Sequence, residues 1–282
     1  MNVVSATFND DDQKWLVVAE DTVTGELHEH KAKFLVVATG ENGSKNVPLI
    51  PGLSTFTGEA IHSSEYKSPM KFTGKNVLVV GCGNSGMEIA YDLSNSGIKT
   101  SILVRSPFHV TTKEMIYAGM LLSKFLPINV IDKVVISLAK DYFGDLSKYD
   151  IDMPEKGPFA IKATTGRAAV IDVGTIDKIK AGLIKVYKTT IEKIGGDEVV
   201  FSDGRSECFD AIIFATGYTS KAHMWLKDNE ELLNDEGFPK QSYPNHWKAS
   251  NGVYCVGLAR RGLPGVSSDA ENIAKDIRNQ IN

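Results

Sequence analysis

Residues 77–90 read Val-Leu-Val-Val-Gly81-Cys-Gly83-Asn84-Ser85-Gly86-Met-Glu-Ile-Ala, which places three glycines at GxGxxG spacing. A continuous apolar run leads into the glycines and a helical periodicity leaves them, so the pattern is strand, turn, helix. In that setting the first glycine permits a tight turn and the second lets the backbone approach a pyrophosphate. The third allows close packing of helix on strand. The first amides of the helix lack intrahelical acceptors and lie at the positive end of its dipole, which suits them to phosphate. Gly81, Gly83, Asn84, Ser85 and Gly86 are therefore candidate dinucleotide contacts. A glycine-rich loop can also be a plain turn. What favours binding is that strand, helix and a following strand at 100–104 are all present.

The end of that following strand indicates which dinucleotide. A site for NAD usually carries Asp or Glu about 20 residues past the loop, on the ribose 2′-hydroxyl. Here the place reads Val104-Arg105-Ser106. A guanidinium matches a 2′-phosphate as a bidentate cation. Arg105 alone would be an ordinary solvated arginine, but with no acid at this spot the pattern selects NADPH, with Ser106 beside it.

The elements that must position these residues follow from the apolar pattern. Short β-rich runs at 15–19 and 27–31 flank a Thr-Gly turn, and a continuous apolar run at 34–38 ends in Ala38-Thr39-Gly40. Open α/β sheets place ligands where a buried strand stops at such a turn. A connector with Pro and Gly spans 47–56. Strands are predicted at 75–80, 183–187, 198–201, 211–214 and 252–256, and a helix at 84–95. A helix-rich insertion covers 113–148. The strand at 211–214 enters a second Ala-Thr-Gly, Ala215-Thr216-Gly217. A closing helix follows Pro264-Gly265 and runs to about residue 280. The fold class is α/β.

Composition bounds the alternatives. The chain has 282 residues, 42% hydrophobic and 23% charged, with a formal net charge of −4. That length makes two domains the natural expectation, and the charge disfavours nucleic acid as a partner. Cys82, Cys208 and Cys255 stand far apart, with no CxxC pair and no histidine at ligand spacing. No metal site, redox disulfide or secreted disulfide framework is expected, and a reducing, cytoplasmic compartment fits. The start of the sequence has no basic head or long apolar run of a secretory signal. No apolar stretch reaches the roughly 18 residues of a spanning helix. Residues 117–139 come closest and are interrupted by Lys124, Pro127, Asp132 and Lys133. They read as a helical pair, with contact to a membrane surface as the alternative.

One constellation is more specific than its members. Phe56, Gly58, His62 and Tyr66 fit FxGxxxHxxxY, which resembles the identifying motif of flavin-containing monooxygenases. Taken singly, His62 would be a hydrogen-bonded structural histidine, and Phe56 and Tyr66 core aromatics. Segments 34–42, 77–88, 214–218 and 260–265 resemble the plant YUCCA group of that family, and the similarity runs through essentially the whole chain.

The resemblance implies a flavoprotein of two dinucleotide-binding domains, a Rossmann-like NADPH domain inserted into an FAD domain. Ala38–Gly40 and Ala215–Gly217 would be the crossing points. On that basis 1–66 would be partial FAD domain, 67–210 NADPH domain with a helical insertion, and 211–282 the return to the FAD domain. The implied activity is oxidative decarboxylation of a 2-keto acid, indole-3-pyruvate, to the auxin indole-3-acetic acid with NADPH, O2 and FAD. NADPH reduces the flavin, which activates O2 for attack on the keto carbon, and CO2 is lost. No nucleophile triad is expected, and none is visible. The catalytic residue is unassigned, His62 being a candidate only by motif position. Flavin-side contacts implied are Thr39, Gly40 and a turn at 263–267 that contains Gly265; Thr216 and Gly217, at the second crossing, are further candidate cofactor contacts.

Two departures stand out. Family members have a further GxGxxG for the FAD pyrophosphate, followed by an acid for the ribose, and neither is found here. The FAD domain is therefore expected to be incomplete, and the chain to be either a shortened enzyme or an inactive NADPH-binding fragment that modulates intact relatives. An incomplete domain would leave the strand at 34–38 unpaired, with poor solubility as the result. The second departure is Thr112-Lys113, where the family often has Pro-Arg; lysine keeps the charge without the bidentate geometry. A disulfide-reductase relative would share the two-domain plan, but the cysteines supply no redox pair.

Overall fold

The computed structural model describes residues 1–227 and 231–281, and the chain divides into two compact units. One unit comprises residues 46–217 and the other residues 1–45 with 218–282.

The 46–217 unit is built on a five-stranded, all-parallel sheet. Its order is Ile184–Tyr187, Lys99–Leu103, Asn76–Val80, Ala211–Phe214, Glu59–His62. Side chains alternate across a strand, so Val77 and Val79 face one side of the sheet and Leu78 and Val80 the other. Both sides are covered. Val77 and Val79 pack with Met87, Ala90 and Leu93 of the helix Asn84–Asn95. Leu78 and Val80 pack with Tyr187, Phe201, Phe209 and Phe214. That side is covered by the antiparallel meander Ile191–Gly195, Glu198–Phe201, Ser206–Cys208. Burial on both faces is why the central strand reads as an unbroken apolar run.

The insertion at 113–148 is a helical pair, Lys113–Leu122 and Ile128–Phe143, followed by a short 3-10 turn at Leu146–Tyr149. A further helix, Pro158–Thr165, begins against it. Asp132 is buried and accepts the backbone amides of Phe159 at 2.8 Å and Ala160 at 3.1 Å. It thereby caps a helix whose own N-cap, Gly157, has no side chain. A Cβ at Gly157 would lie 2.1 Å from the Asp132 carboxyl carbon, so the glycine makes room for the cap.

The other unit has a three-stranded antiparallel sheet, Asn2–Asn9, Lys14–Glu20 and Leu27–Ala32. It also has a parallel pair, Leu35–Val37 with Val253–Cys255, and a 20-residue helix, Gly262–Ile281. Ala6, Trp15, Val37, Leu226, Leu233 and Cys255 share its core, and the Trp15 indole N–H donates to the carbonyl of Asn251 at 2.7 Å.

The sequence-based expectation of an unpaired strand at 34–38 is corrected by this arrangement. Leu35–Val37 hydrogen-bonds Val253–Cys255 in register, because a parallel partner can come from any distance along the chain. The unit boundaries also lie elsewhere than the expected 66 and 210. Strands Glu59–His62 and Ala211–Phe214 pair into the 46–217 sheet and take their residues with them.

Replacing Asp132 by Ala strands two amides at the start of Pro158–Thr165 and empties a packed site. Urea denaturation should show a loss of about 2–3 kcal/mol; a change under about 0.5 kcal/mol would mean that this cap does not hold the insertion.

Candidate functional site

The turn between Asn76–Val80 and the helix Asn84–Asn95 is formed by backbone packed on backbone. Gly81 has φ +109°, a region glycine alone adopts readily, and a Cβ there would lie 2.6 Å from the Ala215 carbonyl oxygen. A Cβ on Gly86 would lie 2.0 Å from the carbonyl oxygen of Gly81 and 3.3 Å from Cβ of Ala215. At Gly83, by contrast, a Cβ would meet nothing within 4 Å. Two of the three glycines are thus required by the fold itself, and the middle one opens outward. This division matches a turn that leaves one approach clear for a ligand.

The helix that starts here has no side-chain cap and no acid in its first turn. Its first internal bond runs from the Met87 amide to the Gly83 carbonyl at 3.0 Å, so the amides of Asn84, Ser85 and Gly86 precede the ladder. The Asn84 side-chain Oδ1 accepts the amide of Ile171 at 2.8 Å. Its backbone amide is the group left for a ligand. Ser85 is exposed.

Arg105 and Ser106 follow Lys99–Leu103 and are exposed. Among the described residues Arg105 makes no hydrogen bond or ion pair. Its charge acts on Cys82, inside the glycine turn, where burial pushes the thiol up to about 11 and Arg105 opposes part of that rise. The guanidinium therefore lies in the field of the turn, and the thiol there is neutral near pH 7.

The second Ala-Thr-Gly lies against the same turn. Ala215 donates its amide to the Val80 carbonyl at 2.9 Å. The Thr216 hydroxyl donates to the Asn46 carbonyl, and the Asn46 side chain donates back to the Thr216 carbonyl at 3.2 Å. Gly217, at φ +81°, has a carbonyl that accepts the Asn46 amide at 3.1 Å.

That same carbonyl explains the motif histidine. His62 is 1% exposed, and its Nε2 lies 2.9 Å from the Gly217 oxygen. Nδ1 accepts the Ser64 amide at 3.2 Å. An amide can only donate, so the ring proton is on Nε2 and is given to Gly217. The His62 backbone amide in turn donates to Glu65 at 3.0 Å, closing a capping box. Both ring nitrogens are committed to the backbone, which makes His62 a clamp on the end of Ala211–Phe214. The rest of the motif is packing: a Cβ at Gly58 would lie 2.4 Å from the Asp210 carbonyl oxygen. Tyr66 stacks on Phe72 and donates to Asp92 at 2.7 Å.

Thr39, Gly40 and Gly265 belong to the other unit. Thr39 and Gly40, the latter at φ +73°, follow strand Leu35–Val37. The turn at 256–262 follows its parallel neighbour Val253–Cys255, so both lie at the carboxyl ends of parallel strands. Gly265 is in the first turns of Gly262–Ile281, where a Cβ would lie 2.5 Å from that of Arg261. Sequence reasoning missed what braces this turn. The buried Asp269 accepts the Gly257 amide at 3.1 Å and pairs with buried His246 at 2.9 Å. Asn46 was missed likewise, since nothing in its neighbours marks it. Among the described residues no cluster of His, Cys, Asp and Glu could hold a metal ion, and all three cysteines are free.

Residues 6–262 match the family model for flavin-binding monooxygenase-like proteins. The chain is 52% identical over 276 residues to a probable indole-3-pyruvate monooxygenase, YUCCA10, of Arabidopsis thaliana, covering 98% of this chain and 72% of the relative. It is 46% identical over 254 residues to indole-3-pyruvate monooxygenase YUCCA1 of Oryza sativa subsp. japonica, covering 88% of this chain and 62% of the relative. Among solved structures it is similar in fold to cyclohexanone monooxygenase in an open form, with TM-score 0.68 and 18% identity over 100% of this chain and 68% of that one. An oxidized steroid monooxygenase bound to NADP gives TM-score 0.67 and 18% identity over 97% of this chain and 64% of that one. The chain thus spans between three fifths and three quarters of the length of these relatives. By the extent of the family match and its identity to plant relatives, the chain belongs to the flavin-binding monooxygenase-like family.

Proposed function

We propose that the turn Gly81–Gly86 binds the pyrophosphate of NADPH and that Arg105 pairs with its 2′-phosphate, in the service of a flavin-dependent monooxygenation. The observation that carries this reading is the outward-open Gly83 at an uncapped helix N-terminus, with an unengaged arginine nearby. NADPH would supply a hydride. The chain's own part is to hold and orient it: amides of 84–86 toward the phosphates, a neutral Cys82 thiol that adds no negative charge beside them, and Arg105 at the ribose.

The names of the relatives favour a 2-keto acid, indole-3-pyruvate, as substrate with O2 as co-substrate, and hence a role in auxin biosynthesis. A cytoplasmic setting accords with three unpaired cysteines. His62 is given no acid or base role, because both its ring nitrogens hold backbone.

The flavin fits these residues only in part. GxGxxG occurs once in the sequence, and the 1–45 and 218–282 unit offers Thr39, Gly40 and a helix N-terminus near Gly265 without a glycine cradle. Thr216 and Gly217, the second crossing, have their hydroxyl and carbonyl engaged with Asn46 and His62. The single cradle also favours a second reading, an NADPH-binding chain that is not itself catalytic.

Purification separates the two. The monooxygenase reading predicts stoichiometric flavin absorbance in the folded protein; colourless protein that binds NADPH selects the second reading. Isothermal titration of Arg105→Ala should weaken NADPH about 10- to 100-fold, the value of a lost charged contact, and leave NADH unchanged. Equal loss for both nucleotides would contradict the role given to Arg105. His62→Ala should lower stability by about 2–3 kcal/mol in urea, since Gly217 and Ser64 lose partners at a buried site. Full stability with abolished activity would instead assign His62 to the chemistry.

A further inference from the structure

Asn-Gly occurs twice in the sequence, at Asn42-Gly43 and at Asn251-Gly252. In this dipeptide the second residue has no side chain, so its amide nitrogen can approach the asparagine Cγ with little steric opposition. Ring closure between them also requires the peptide that joins the two residues to rotate. The fold therefore decides which of the two pairs can react. Asn251-Gly252 is held. Asn251 at φ +57° and Gly252 at φ +67° form the centre of a tight turn, closed by the Val253 amide on the Ser250 carbonyl at 3.3 Å. The carbonyl of the joining peptide accepts the Trp15 indole N–H at 2.7 Å. A Cβ at Gly252 would lie 2.9 Å from the Lys33 carbonyl oxygen. Rotation there would break both hydrogen bonds against packed backbone.

Asn42-Gly43 lacks such restraints. Both residues are exposed, in the bend between Leu35–Val37 and the short strand Ser44–Lys45. Among the described residues the Asn42 side chain and the Gly43 amide make no hydrogen bond. A Cβ at Gly43 would meet nothing nearer than 3.9 Å. The reaction that this permits needs only water. The Gly43 nitrogen bonds to Asn42 Cγ, the Cγ–Nδ2 bond breaks, and the amide proton passes through solvent to the departing ammonia. Water then opens the resulting succinimide at either carbonyl. One opening gives aspartate. The other gives isoaspartate, in which the main chain runs through Cβ and Cγ and gains one backbone atom. Ser44 follows directly and lies opposite Thr219 in the antiparallel pair with Tyr218–Thr219. An added backbone atom at 42 displaces that register.

We propose that Asn42 is a site of spontaneous deamidation in the folded protein, ahead of Asn251, and that its isoaspartyl product loosens the pairing of Ser44–Lys45 with Tyr218–Thr219. The free carboxylate of that product is the acceptor group of an isoaspartyl methyltransferase. The test is to age the full chain in warm, mildly alkaline buffer and follow both sites by peptide mass spectrometry. Exchange of NH2 for OH should be about tenfold or more faster at 42 than at 251, the rate equivalent of the hydrogen bonds that restrain the second site. In concentrated urea, where the fold is lost, the two sites should react at similar rates. An isoaspartyl methyltransferase with labelled S-adenosylmethionine should label the aged chain at 42, and Asn42→Gln should remove most of that label. Asn42 is exposed, so circular dichroism should show the variant folded. Hydrogen exchange of Ser44, Lys45, Tyr218 and Thr219 should be about tenfold faster in the isoaspartyl form. The inference is overturned by equal rates at the two sites in the folded chain, or by faster reaction at 251. It is overturned equally by an Asn42 that stays intact while the urea-treated chain is converted, or by unchanged exchange in the isoaspartyl form.

Discussion

The whole arrangement depends on the absence of side chains where strand Asn76–Val80 turns into helix Asn84–Asn95. The site of a Gly86 Cβ is 2.0 Å from the Gly81 carbonyl oxygen, and that of a Gly81 Cβ is 2.6 Å from the Ala215 oxygen. Any larger residue would push the helix off the sheet by overpacking. Because the helix lies this close, its free amides emerge at the carboxyl end of the parallel strands, where a ligand can reach them. A constraint of the fold and a capacity to bind anions have one and the same origin.

A second layer of backbone bonding keeps the neighbouring strand end in place. His62 and Asn46 both bind the carbonyl of Gly217, and Thr216 is tied to Asn46. The family's identifying motif is, in this chain, a device that fixes the strand end beside the glycine turn rather than a set of reacting groups. Its glycine, histidine and tyrosine each answer a packing or hydrogen-bonding demand that can be named. This accounts for a histidine that is buried with both ring nitrogens bound to backbone.

Much of this was legible in the sequence. The unbroken apolar run of Asn76–Val80 required cover on both faces, and the GxGxxG spacing located the turn. The helical pair was visible from its periodicity. What the sequence hid depended on distant partners. Glu59–His62 is a strand only because Ala211–Phe214 lies alongside it, and its four residues carry too little pattern to show. Leu35–Val37 found a mate some 200 residues away, a pairing that local pattern cannot reveal. Asp132 looked like an interruption of an apolar helix and proved to be the cap of another. The tie from the Asn84 side chain to the Ile171 amide, 87 residues along the chain, was hidden in the same way.

The central claim concerns particular amides, so it is best tested on them. Amide hydrogen exchange, followed residue by residue with and without NADP+, reports directly which backbone groups acquire an acceptor. Slowed exchange centred on Gly83, Asn84, Ser85 and Gly86 is the predicted result. Protection elsewhere with these four amides unchanged would contradict the account.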